Sequence, residues 1–417
     1  MRDINYDEAA VPDFRLPDPL RFADGSPVAT AEDWWQLRRP ELLDLFAATV
    51  YGRGPDLGRA EVSVQDHRSW GDAVGGTAIQ EEIRLRVEGV ATPIDVLLVL
   101  PRRDQPVPVW CSLNFYGNAS VTSDPRIRLH QRWTPGNRPG IEGNRLTEAA
   151  RGCDAQRWPL PLLIERGYGF ATFHTSDVSP DSPQLFRTVM PELFSGVDGL
   201  PCARDPHQWG SIGAWAWGLS RLLDHLVTDP RVDVARIGVV GHSRLGKTAL
   251  WAGAQDQRFS VVASNESGCA GAALSRRRFG QTVADITAKF GYWFCENLAR
   301  YADREDALPI DQHELLALIA PRLLHVGSAA EDLWADPRGE FLSAVHADPV
   351  YRLLGVDGIA TNEMPEVGQT VTGRIGYHIR PGVHELTDSD WSRYLDTSDV
   401  AANVATSQRL VELGTPR

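Results

Sequence analysis

The sequence predicts an α/β fold, a mostly parallel sheet with helices on both faces, on three observations. Short, nearly continuous apolar runs recur at Ile94–Leu100, Pro106–Phe115, Tyr168–His174, Arg236–Val240, Phe259–Ala263 and Arg322–Val326. A strand that is apolar on both faces is one covered on both faces. In the second half these runs alternate with helix-patterned segments such as Ile212–Thr228 and Thr248–Gly253, the order expected of βαβ crossovers. No internal repeat, low-complexity tract or Gly/Ser linker interrupts the 417 residues. The expectation is therefore an N-terminal lead-in, residues 1–60, packed on one domain, residues 61–417.

Taken in order, the chain starts with polar, charged and Pro-containing residues, and Thr30-Ala31-Glu32-Asp33 then leads into an apolar-periodic helix from Trp34 to Val50. Glu82–Val87 alternates apolar and polar residues as a half-buried strand does. Residues 116–160 are rich in Gly, Asn, Arg, Asp and Trp with no clean period, which predicts a long surface excursion bordering a functional site. A second irregular stretch, rich in Asp and Pro, follows the strand at Tyr168–His174.

Composition narrows the function. Hydrophobic residues make up 42% and charged residues 23%, enough for a full core. The net charge of -13 argues against nucleic-acid and anionic-membrane partners, which need a positive surface. Neutral esters carry no charge to repel. The five cysteines, Cys111, Cys153, Cys202, Cys269 and Cys295, are scattered without a C-x-x-C pair, so buried free thiols are expected; Cys269 and Cys295 are the pair to watch if one disulfide forms. The start MRDINYDEAAVPDF has neither a basic n-region nor an apolar h-region, and no stretch has membrane-spanning length. As given, the chain reads as soluble and not exported; an upstream native start would change the compartment.

Gly241-His242-Ser243-Arg244-Leu245-Gly246-Lys247 sets a serine between glycines, after a buried strand and before a helix. That is where a nucleophile elbow lifts a hydroxyl above a sheet, the hallmark of the α/β-hydrolase fold, a three-layer αβα sandwich. The spacing is G-x-S-x-x-G instead of G-x-S-x-G, and Gly241 to Thr248 also fits the phosphate-binding pattern G-x-x-x-x-G-K-[ST]. The phosphate reading requires an apolar strand ending in Asp downstream, and none is persuasive. The hydrolase reading requires an acid after a later strand and then a histidine. Glu266 and Asp332 both sit at strand exits, and either could orient a histidine. His384, in a late loop, is the candidate base, with His378 assigned to the preceding strand as a structural side chain. Serine is a weak nucleophile at neutral pH, so Ser243 needs such a base, and backbone amides after it, that of Arg244 first, would meet the oxyanion.

These residues resemble those of a known family, the glucuronoyl esterases of carbohydrate esterase family 15, in its bacterial branch. SLNFYGN, VVGHSRLGKTALWAGAQDQRF, SNESGCAGAALSRR, AEDLWADPRGEF and GYHIRPGVHELTDSDW carry the resemblance, which runs from about residue 94 to residue 396 and decides against the phosphate loop. It implies a serine esterase acting on glucuronoyl esters without metal or organic cofactor. Ser243 falls on the nucleophile, His384 on the base and Glu266 on the acid, with Asp332 as a second acid. Arg244 is implied in the oxyanion hole, and Lys247 and Trp334 against the sugar ring. Similar sequences carry a glutamate where this one has Gln281, which leaves ester chemistry intact but weakens a sugar contact. The alternatives are an acetyl-xylan or general carboxylesterase on the same triad, and a catalytically weak carbohydrate-binding homologue. A monomer is expected.

Overall fold

In the computed structural model, which describes residues 4–55, 60–193 and 205–400, the apolar runs become strands of one ten-stranded sheet. The strands are β1 (Val62–Asp72), β2 (Ala78–Val87), β3 (Ile94–Pro101), β4 (Val107–Asn114), β5 (Gly169–His174), β6 (Val232–His242), β7 (Val261–Asn265), β8 (Leu323–Ala329), β9 (Thr370–Val371) and β10 (Ile375–Arg380). Their spatial order is β1-β2-β3-β5-β4-β6-β7-β8-β10-β9. From β5 to β10 neighbours run parallel. An antiparallel meander, β1 to β3, flanks this block at one side and β9 closes the other.

Alternation along the strands builds two cores. On β3, Val96, Leu98 and Leu100 face one and Leu97 and Val99 the other. The first core takes the apolar faces of α1 (Ser211–Leu226), α2 (Arg244–Gln255) and α3 (Pro337–Leu353), with Leu219, Leu250 and Phe341 among them. The second holds Trp158, Leu163, Trp391 and Tyr394. The result is the three-layer sandwich of the α/β-hydrolase fold.

Differences from the expected elements have local causes. Helix α2 starts at Arg244, not Thr248, because β6 runs to His242 and turns into the helix at Ser243 alone. Strand β1 was not anticipated, since it is a sheet edge with exposed side chains over most of its length and shows no apolar alternation. Helix α3 was hidden by its internal Pro349. Residues 116–160 are less of a surface excursion than expected: short helical turns and a small ribbon, Ile141–Glu142 with Arg145–Leu146, bury Ala119, Ile127 and Trp158 in the second core.

The lead-in is knitted to the rest. Thr30 and Asp33 form a capping box, and residues 31–51 are helical. Trp34, Leu42 and Phe46 are fully buried, Arg38 pairs with buried Glu314 at 2.7 Å, and Arg39 donates to the carbonyl of Ala254. Cys111, Cys153, Cys269 and Cys295 are free thiols, and Cys202 lies outside the described residues. Among the described residues no helix is long and apolar enough to cross a membrane.

Candidate active site

Strand β6 delivers Ser243 in a backbone conformation, φ 60° and ψ -126°, that a residue with a side chain rarely adopts. The surroundings enforce it: the Ser243 amide donates to the carbonyl of Asn265 at 2.9 Å, and the next residue opens α2. The unusual spacing of the two glycines follows from this turn. A Cβ at Gly241 would lie 1.9 Å from the carbonyl oxygen of Leu245, and one at Gly246 would meet the Ser267 side chain at 2.9 Å and the Gly241 carbonyl at 3.1 Å. Close approach between helix and strand therefore demands glycine at 241 and 246, and nothing requires it at 245, where Leu is buried in the core.

His384 sits in the loop after β10 with its side chain 40% exposed, and its ring lies 4.4 Å from that of His242, the neighbour of Ser243. Its Nδ1 meets two carboxylates at once, Asp332 Oδ2 at 2.5 Å and Glu266 Oε2 at 3.1 Å. Nδ1 is thereby occupied, which leaves Nε2 as the nitrogen to take a proton. The expected ranking put Glu266 first; by distance Asp332 is the nearer acid. Glu266 is engaged elsewhere too. It is held at positive φ, 47°, and accepts from Arg380 Nη2 at 2.5 Å and from the Glu385 amide at 3.0 Å. Burial acts to lower the imidazole's pKa, but the hydrogen bonds and charges of Asp332 and Glu266 outweigh it and push His384 up to about 9. Burial raises Glu266 to about 7 against the pull of His384 and Arg380. His378 is fully buried in β10, bonded to His325 and Asp390, and takes no place at the opening.

Arg244, the first residue of α2, pairs with Asp181 Oδ2 at 2.6 Å, with its guanidinium carbon 4.6 Å from the Phe115 ring and 5.4 Å from Trp293. Asp181 Oδ1 also accepts from Tyr292 Oη and Trp293 Nε1, both at 2.7 Å. The arginine is thus held between two aromatic faces at the helix N-terminus, where backbone N–H groups already favour negative charge. Lys247 is only 4% exposed and donates to the carbonyls of Ser267 and Cys269, so it braces the loop that follows β7. Trp334 is 36% exposed, and its carbonyl accepts from the Gln281 amide at 3.0 Å, which sets these two residues side by side.

Sequence reasoning did not find Asp181, Arg380 or Asp390. Asp181 lies in the irregular stretch after β5, and only the arginine across the fold gives it meaning. Arg380 and Asp390 flank His384 in the motif GYHIRPGVHELTDSDW, and arginine and aspartate around a candidate base were a readable signal.

A strained serine between strand and helix, ahead of an imidazole backed by carboxylates on a mostly parallel sheet, belongs to carboxylic ester hydrolases of the α/β-hydrolase fold. A family profile described as glucuronyl esterase, fungi, matches residues 204–355. A carbohydrate esterase, MZ0003, from an unknown prokaryotic organism is 44% identical over 402 residues, 95% of this chain and 92% of that protein. A 4-O-methyl-glucuronoyl methylesterase of Wolfiporia cocos is 36% identical, covering 82% of this chain and 72% of its own length. Among solved structures, a promiscuous CE15 esterase from a marine bacterial metagenome superimposes with a TM-score of 0.89 at 44% identity over 95% of this chain and 99% of the other. A glucuronoyl esterase from Solibacter usitatus gives 0.86 at 40% identity over 94% and 99%. The chain belongs to carbohydrate esterase family 15, the glucuronoyl esterases.

Proposed function

We propose that this enzyme hydrolyses esters of glucuronic acid and its 4-O-methyl ether, releasing the uronate and an alcohol. The single observation that supports the catalytic assignment best is His384 Nδ1 held by two carboxylates, with the ring 4.4 Å from that of His242, the residue beside Ser243. The substrate class follows the relatives, curated as 4-O-methyl-glucuronoyl methylesterases.

Ser243 Oγ attacks the ester carbonyl carbon while His384 Nε2 takes its proton. Asp332 and Glu266 stabilise the imidazolium. The tetrahedral oxyanion is met by the backbone amide of Arg244 and by its guanidinium, held on Asp181. Collapse breaks the bond to the alcohol oxygen, which receives the proton from His384, and leaves a uronoyl ester on Ser243. Water, activated by the same imidazole, then releases the acid. Trp334 and Gln281 form one rim against the sugar, and Lys247 contributes the N–H that its two carbonyls leave over.

A second reading, a broader carboxylesterase on the same triad, is favoured by Gln281, which lacks the charge of the expected glutamate, and by the relative called promiscuous. The test measures uronate release from benzyl glucuronate beside 4-nitrophenyl acetate, with wild type and Ser243→Ala. Fast, Ser243-dependent uronate release with slow acetate cleavage is expected, with a loss of roughly 10⁴-fold or more in the variant. Preferential cleavage of acetate would move the enzyme to the broader reading.

A further inference from the structure

The guanidinium of Arg380 lies 5% exposed between the acid and the loop that carries the base. Nη2 donates to Glu266 Oε1 at 2.5 Å, to the carbonyl of Val383 at 3.0 Å and to that of Glu385 at 2.5 Å; Nη1 donates to the carbonyl of Pro381 at 3.1 Å. Val383 and Glu385 are the residues on either side of His384. One cation therefore ties the backbone before and after the imidazole to the carboxylate that touches it.

Arg380 is held in turn. Its Nε donates to both oxygens of Asp390, at 3.1 and 2.9 Å. Asp390 also accepts from the Thr387 amide and hydroxyl and from His378 Nε2 at 2.8 Å. His378 Nδ1 lies 2.9 Å from His325 Nε2, and His325 Nδ1 lies 2.6 Å from Thr397 Oγ1. The two buried imidazoles have space because glycines stand opposite them on adjacent strands: His325 pairs with Gly376, and Gly327 with His378. A Cβ at Gly327 would meet His378 at 2.6 Å and Tyr394 Oη at 2.3 Å, and one at Gly376 would meet His325 at 2.7 Å. A polar chain this long, fully bonded and provided with its own room, is costly to bury and needs a task.

We propose that Arg380 is a positioning residue for the reaction, fixing the His384 loop and Glu266 relative to each other, and that Asp390 with the His378–His325 pair fixes Arg380. Arg380 touches no reacting atom and acts through His384. The inference rests on the assignment of His384 as base but not on the uronate substrate.

The experiment compares wild type, Arg380→Lys and Asp390→Asn on benzyl glucuronate and 4-nitrophenyl acetate, with thermal unfolding alongside. Lysine keeps the charge but cannot reach Glu266 and three carbonyls together. For Arg380→Lys the expected result is a fall in kcat of roughly 10- to 100-fold, by the same factor on both esters, with KM within about twofold. Asp390→Asn, which leaves the guanidinium but loosens it, is expected to show the same split with a smaller loss, and it decides the matter if Arg380→Lys does not fold. Wild-type kcat in the variants, or a loss that falls on KM with a lowered unfolding midpoint, overturns the proposal. A wild type that cleaves only the acetate removes the substrate assignment and leaves this comparison standing on that ester.

Discussion

Two carboxylates on one imidazole nitrogen have a consequence for the pH at which the enzyme works. In the proposed mechanism the base must be neutral to take the Ser243 proton, and Asp332 and Glu266 stabilise the charged form enough to hold His384 at a pKa of about 9. The kcat/KM of the free enzyme is expected to rise with pH across the alkaline range. Asp332→Asn removes one of the two stabilising charges, so the imidazole pKa falls and the rise moves to lower pH while the plateau drops; a pH–rate profile of both proteins checks this. Stability runs the other way. Because the folded state binds the His384 proton more tightly than the unfolded chain, that contribution is complete below the ordinary histidine pKa and is lost as pH rises through about 9.

The elbow shows at the scale of one element what could be read beforehand. Its existence was legible from a serine set between two glycines after a buried strand, once the family resemblance had decided against a phosphate loop; its spacing was not, because the reason lies in the approach of Leu245 to Gly241 across the turn. Gly241→Ala would press a methyl group into that carbonyl. It is expected to destabilise the fold by more than about 2 kcal/mol and to abolish activity, read by urea denaturation and by ester cleavage. Elsewhere, strands covered on both faces announced themselves as apolar runs, and β4, β5 and β8 came within one to three residues of their expected ends. Strand β1 and helix α3 did not, the first because neither of its faces is buried and the second because proline stands inside it. Of the candidate site, Ser243 was singled out from a strand-to-helix turn, Glu266 and Asp332 from strand exits and His384 from a late loop, and the structure brings the last three together. The carboxylate under Arg244 was not legible, because Asp181 and Arg244 are distant in sequence; the guanidinium of Arg380, four residues before His384, was a readable signal that was passed over.

Across the whole molecule, we propose that the lead-in, residues 1–60, is part of one folding unit with the catalytic domain. The buried ion pair of Arg38 with Glu314 ties them, and burial pushes Glu314 up to about 7 against the pull of Arg38. Replacing Arg38 by Met strands that carboxyl in the interior, and a loss of about 3 to 5 kcal/mol is expected, measured as a lower urea midpoint for the entire chain. The outermost strands of the sheet bear on how copies of the molecule treat one another. A sheet edge offers unpaired backbone groups to any passing chain. Here one edge, β9, is only two residues long, and the other, β1, is broken by a bulge between Val64 and Asp66 and carries Asp66 and Arg68 in ion pairs with Arg128 and Glu82. A neighbour adding a strand there would have to strip water from those ions, against the repulsion of two chains that each carry a net charge of -13. The rim of the sheet thus works as a guard against fibre growth in crowded solution.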